Sequence, residues 1–235
     1  MVYDVRTHVF EEWLLLHEPE RKLCVGAVLL AAGAGSRLGN KPKSLLELDG
    51  VPLIHRQLAA LSGAGVDEVV VVLGHHAAMI AAALAARPVP VNVKTVTNPN
   101  PDDGQPSSVR VGLQSLSAKL DAVIVALADQ PLLNADDIAT LIDAFKKRSG
   151  AAAMVVPRVS GAPGNPVIFD AALRDEWLRG DSNRMGRQWR EAHPQRVQWF
   201  DSDNSHFRVD IDTAEDINAF AQRTGRELRW RSGWV

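Results

Sequence analysis

Between residues 24 and 148 the chain alternates between continuous apolar runs and segments with helical spacing. "CVGAVLLAA", "DEVVVVLG", "VNVKTVT" and "DAVIVALAD" are predicted as strands. "PLIHRQLAALSGAG", "HHAAMIAAALAA", "SSVRVGLQSLSAKL" and "NADDIATLIDAFKKR" follow them in turn and are predicted as helices. Strands without polar alternation are covered on both faces, as in a parallel sheet between two helix layers. The pattern therefore predicts an α/β fold: a single doubly wound, mostly parallel sheet with helices on both faces.

After residue 150 the alternation loosens. "AAAMVVPRV" and "NPVIF" are strand candidates around the turn "GAPG", and "RVQWF" and "FRVDI" are expected to pair near the sheet edge. "TAEDINAFAQRT" is predicted as a last helix, with Thr213 as N-cap and Glu215 and Asp216 in its first turn, where they suit the helix dipole. Near the amino end Val5, Val9 and Trp13 recur at i, i+4 spacing, which predicts an amphipathic helix. The expected division is a helical extension over 1–22, one domain over 23–222 and a tail over 223–235 that carries tryptophans among arginines. Both ends are expected to pack on the domain or on a second copy.

A formal net charge of −2 over 235 residues gives no global pull toward nucleic acid or an anionic membrane, so neither is expected as a partner. No apolar stretch approaches the ~20 residues of a membrane helix, and no secretory leader is recognisable. The single cysteine, Cys24, opens a buried strand and reads as a core thiol; a cytoplasmic protein is expected. His75 and His76 read as turn residues at a strand end.

Any phosphate chemistry must then be local, and "LLAAGAGSRLGNKPKSLLELDG" at 29–50 is where it concentrates. A dinucleotide loop needs Gly-x-Gly-x-x-Gly, but after Gly33 and Gly35 the next glycine, Gly39, comes one place late, and Pro42 disfavours helix at Lys41. A triphosphate P-loop fails for want of Gly-Lys-Ser/Thr. What remains is a long loop with small residues, free backbone N–H groups, Arg37, Lys41 and Lys43. Such a loop suits a triphosphate better than a dinucleotide, and a solvated basic turn is the alternative.

Five segments in order extend the picture: "LAAGAGSRLG" with "PKSLLELDGVPLI", "TNPNPDDGQPSSVRVGL", "ALADQPLL", "GNPVIF" and "DIDTAEDI". Over about residues 24 to 222 the chain resembles the molybdenum-cofactor nucleotidyltransferases, and within them the cytidylyltransferases. The resemblance implies that CMP is transferred from CTP to molybdopterin (molybdenum cofactor) with release of pyrophosphate and with Mg²⁺ as cofactor. A recipient molybdoenzyme or its chaperone is the further partner it implies. The nucleotide side would comprise Leu30, Ala31, Ala32, Gly33, Gly35, Ser36, Arg37, Lys43, Ala128 and Asp129, with Arg37, Lys43 and Asp129 catalytic. Asp129, at the end of a central strand, and Asp212 would hold the metal. Ser107, Ser108, Gly164, Asn165, Pro166 and Asp210 would face the acceptor, and Lys41 reads as a solvated neighbour. Ala32 stands where guanylyl relatives tend to carry glycine, and a methyl in the base pocket would favour a pyrimidine. Alternatives are guanylyl transfer to molybdopterin, transfer to a sugar phosphate, or a cofactor carrier without catalysis. Pro106, where the family often has glycine, and "GDSNRM" depart from its pattern.

Overall fold

Seven consecutive buried residues, Val25–Ala31, form the first strand, β1. The computed structural model describes residues 22–89, 91–180 and 185–231. After β1 come a short hairpin of β2 (Glu47–Leu48) and β3 (Val51–Pro52), helix α1 (Leu53–Gly63), β4 (Glu68–Leu73), α2 (Ala77–Ala86), β5 (Asn92–Thr97), α3 (Gln105–Ser115), β6 (Ala122–Leu127) and α4 (Ala135–Lys146). The second half holds β7 (Met154–Val159), β8 (Ala162–Pro163), β9 (Val167–Asp170), α5 (Ala171–Arg179), α6 (Arg187–Ala192), β10 (Val197–Asp201), α7 (Ala214–Thr224) and β11 (Leu228–Arg229). The main sheet runs β10-β7-β9-β6-β1-β4-β5, with β8 hydrogen-bonded to β7. Strands β6, β1, β4 and β5 are parallel, while β9 is antiparallel to both β6 and β7.

The period-2 geometry of a strand sends the side chains of β1 alternately to two cores. Ala27 and Leu29 face one formed with Ile54 and Leu58 of α1, Ile80 of α2 and Ile138 of α4. Val28 and Leu30 face another formed with Leu113 of α3, Leu173 and Trp177 of α5, and Trp189 of α6. Helices thus cover both faces of a mostly parallel sheet, the predicted fold class. Helix and strand pack closely at Gly112, where an added Cβ would collide with Val28 Cγ1.

The second half departs from the sequence reading. "FRVDI" is no strand: Ser205–Arg208 is a 3₁₀ turn and the following residues are extended without a sheet partner. "RVQWF" does form a strand, but β10 pairs with β7, in parallel. Helices α5 and α6 and the small sheet β11-β2-β3 were not expected. Part of the tail is thereby tied to the fold, since Leu228 pairs with Leu48. The amphipathic helix expected at Val5, Val9 and Trp13 lies outside the described residues. Among those residues no helix is long and apolar enough to cross a membrane.

Candidate active site

Three segments converge at the carboxyl edge of β1 and β6, where open α/β sheets bind their ligands. The first is the loop after β1. Gly35 has φ +65°, and a Cβ there would collide with the Lys41 carbonyl, so the turn demands glycine. Its carbonyl accepts from the N–H groups of Leu38 (2.8 Å) and Asn40 (3.0 Å), which closes the turn. Leu38 anchors the loop in a third apolar cluster with Leu46, Val209, Ile211 and Phe220.

The second segment is the end of β6. Ala128 N–H donates to the Leu30 carbonyl (3.1 Å), and Asp129 follows at once. The third is residues 209–212. Val209 and Ile211 are buried in the third cluster, so Asp210 and Asp212 alternate to the other side and line the cleft. Ile211 N–H donates to the Asp129 carbonyl (3.2 Å), which joins the second and third segments. Asp216 completes the positioning: its Oδ2 accepts from Asp212 N–H (2.9 Å) and Thr213 N–H (2.7 Å), while Thr213 Oγ1 accepts from Asp216 N–H (3.2 Å). This reciprocal cap does more than the dipole role read from the sequence.

Lys43 is the centre of the charge network. Its Nζ lies 2.7 Å from Asp129 Oδ2 and 2.5 Å from Asp212 Oδ1, and Arg37 reaches Asp212 Oδ2 at 3.2 Å. The Lys43 and Asp129 side chains are 19% and 17% exposed, against 68% for Arg37, so the first pair is the shielded one. Asp129 Oδ1 is buried without a partner. Burial pushes the Asp129 carboxyl above its ordinary range, ahead of the opposing pull of Lys43. Asp210 is also raised, by burial and then by the charges of Asp129 and Asp212. Burial works to lower Lys43, but Asp129 and Asp212 outweigh it and hold the ammonium charged above its ordinary value. Two cations, Arg37 and Lys43, thus face three carboxylates.

The network lines a cleft of about 500 Å³. Leu30, Ala31, Ala32, Gly33, Lys43, Ser108, Ala128, Asp129, Asp210 and Asp212 reach it, whereas Gly35, Ser36 and Ser107 do not. Arg37 joins through Asp212. Both serines are held by Asn98 Nδ2, at 2.8 Å from Ser107 Oγ and 3.0 Å from Ser108 Oγ. Ala32 is 7% exposed, and its methyl sits against Gly74, where an added Cβ would come within 2.8 Å of it. His75, read as a turn residue, lines the cleft and lies 3.1 Å from Asp102, and His76 Nε2 is 2.9 Å from the Ala34 carbonyl.

A second cavity of about 220 Å³ adjoins the first, and Gln105 and Leu127 line both. Gly164 and Asn165 are on its wall, and Pro166 is not. Trp177, Arg187 and Arg190 also line it, and sequence reasoning missed them because they come from α5 and α6. Gly164 carries a structural constraint as well. A Cβ there would stand 2.6 Å from the Phe207 carbonyl, next to the segment bearing Asp210 and Asp212. Gly164→Ala is expected to destabilise the protein by about 1–3 kcal/mol, as overpacking does. Turnover should fall with it as that segment shifts. Thermal denaturation alongside a turnover assay checks this, and unchanged melting would refute the packing account.

A family model for the MobA-like NTP transferase domain matches residues 27–197. The chain is 33% identical over 199 residues to nicotine blue oxidoreductase of Paenarthrobacter nicotinovorans, spanning 83% of this chain and 95% of that protein. It is 32% identical over 171 residues to 2-C-methyl-D-erythritol 4-phosphate cytidylyltransferase of Streptomyces coelicolor, 68% of this chain and 63% of that one. Among solved structures it is similar to a nucleotidyl transferase from Methanothermobacter thermautotroptrophicus, with 25% identity, a TM-score of 0.68, and coverage of 85% of this chain and 97% of that chain.

Proposed function

Because the chain belongs to the MobA-like NTP transferase family, we propose that it transfers a nucleotidyl group from a nucleoside triphosphate to a phosphate-bearing acceptor, with CTP as donor and molybdopterin as acceptor. An acceptor phosphate oxygen attacks the α-phosphorus; the bond to the bridging oxygen breaks and pyrophosphate leaves. Such a reaction asks the protein mainly to position the reactants and to offset negative charge. The observation that carries the reading is the Lys43 ammonium held between Asp129 and Asp212 at the strand ends. In our reading Lys43 and Arg37 meet the triphosphate, and the backbone N–H groups of residues 31–33 lie along it. The choice of CTP is supported by the sequence resemblance and by the cytidylyltransferase relative.

The donor set suits Mg²⁺. Asp129 offers a carboxylate oxygen without a partner, and Asp210 and Asp212 line the same cleft. Among the described residues no group of three or more His, Cys, Asp or Glu side chains is placed to hold a metal by itself. Mg²⁺ commonly takes only one or two carboxylates and completes its shell with water and substrate phosphates. Bound there, the ion would draw charge from the triphosphate as pyrophosphate forms. Because burial raises Asp129 and Asp210, protons compete with a cation at higher pH than for ordinary carboxylates. Mn²⁺ affinity is therefore expected to fall on acidification from above the usual carboxylate range. Calorimetric titration over a pH series checks this, and an affinity flat down to that range would contradict it.

The deciding assay offers each of the four nucleoside triphosphates with molybdopterin, follows pyrophosphate and weighs the product. The relative named as an oxidoreductase favours a second reading, and parallel oxidation of NADH or NADPH tests it. Oxidation without pyrophosphate would replace the first reading with the second. Faster turnover with GTP would overturn the choice of CTP.

A further inference from the structure

From the helix layer we infer that a third cavity, of about 430 Å³, is a binding site for a phosphate monoester, a dianion carried on a small apolar body. The inference stands apart from the nucleotidyl-transfer reading, since no residue that lines this cavity lines the carboxylate cleft. The cavity lies between α1, the end of α2 and the start of α4. His55 and Arg56 come from α1, Arg87 follows α2, and Ala135 opens α4. His55 is 3% exposed, yet neither of its ring nitrogens has a hydrogen-bond partner. The carbonyls of Ala83 and Arg87 act on the ring without closing a bond of normal geometry to either nitrogen. A buried polar group left this way is costly, and a ligand oxygen satisfies it.

The charges set the ligand class. Arg56 and Arg87 both line the cavity, no carboxylate does, and among the described residues neither guanidinium has an ion-pair partner. Arg56 Nε is buried without a hydrogen bond. Asp49, the carboxylate that acts on Arg56, is itself paired with Arg226. Two cations with no lining carboxylate match a dianion, and a phosphate monoester is close to doubly charged at neutral pH. The arginine fork meets phosphate oxygens two at a time. Helix α4 adds the positive end of its dipole: its reciprocal cap uses the N–H groups of Asn134 and Asp137, which leaves Ala135 N–H for a ligand oxygen. Burial pulls both His55 and Arg56 below their ordinary values, and an anion between them relieves both. Val51, Val89 and Leu133 supply an apolar wall, against which the organic part of the ligand packs.

The test titrates the full-length protein with phenyl phosphate, inorganic phosphate and benzoate, and reads each affinity from the His55 ring signals in NMR spectra, assigned through His55→Gln. The readout needs no catalysis, so its result is independent of the transferase reading. Phenyl phosphate is expected to shift the His55 signals and to bind more tightly than either other probe. Arg56→Gln should weaken it roughly tenfold or more, the loss of one charge-assisted pair, and Arg56→Lys should recover part. A melting curve on each variant checks the fold. Should Arg56→Gln fail to fold, Arg87→Gln, at an exposed position, carries the same expectation. Equal affinity in wild type and the folded variants, or His55 signals that stay still as phenyl phosphate is added, would overturn the inference. Inorganic phosphate or benzoate binding as tightly as phenyl phosphate would overturn the assignment of a phosphate monoester.

Discussion

Asp129→Asn is expected to lose roughly 10³-fold in turnover, the scale on which a metal-assisted phosphoryl reaction depends on its cation, while melting no lower than the wild type. The substitution keeps the shape of the side chain and removes a charge that burial already disfavours. It also relieves repulsion with Asp210 and Asp212, and leaves Lys43 paired with Asp212. A site that costs stability when intact and activity when relaxed is a common bargain in enzymes. Steady-state kinetics at saturating nucleotide, with a melting curve on the same sample, checks both halves. Near-normal turnover removes Asp129 from the chemistry, and a large drop in melting temperature makes it structural.

Lys43→Met should damage both properties. With the ammonium gone, Asp129 must stay in a shielded cleft beside two other carboxylates with no cation at 2.7 Å. Breaking a fully buried pair costs about 3–5 kcal/mol, and the remaining solvent contact brings the expectation here to about 2–3 kcal/mol. For a chain of this size that is a fall of roughly 4–12 °C in Tm. Turnover should drop by about 10²–10³, as when one preorganised charge stabiliser is removed. The sign with pH follows from the shifts. Lys43 is raised in the folded state, so its stabilisation is complete below the unfolded lysine pKa and fades as pH rises through the folded value. The gap between variant and wild type should therefore persist at neutral pH. It should narrow on acidification, when Asp129 takes a proton and needs no partner. Denaturant titrations over a pH series measure this, and a gap that widens toward acid would refute the pairing account.

The sequence by itself determined the alternation of β1, β4, β5 and β6 with α1 to α4, because strands buried on both faces are written as unbroken apolar runs and their helices as 3.6-residue patterns. It also marked the phosphate-type loop, Asp129 at the end of a central strand, and the Asp210–Asp212 alternation, since local geometry dictates where those side chains point. Tertiary structure decided the rest. Residues 209–212 pair with no strand, because Val209 and Ile211 are buried beside Leu38 and Leu46 while Asp129 accepts from Ile211 N–H. The Lys43 bridge joins positions 86 and 169 residues away, which no local pattern encodes. Ala32 lines the cleft and also packs against Gly74, a contact between two strand ends that no local pattern encodes. Arg190 and Trp177 come from short helices after residue 170, and only packing against β9 and β10 brings their side chains to one cavity. Short elements are set by what covers them, and that information lies far away in the chain.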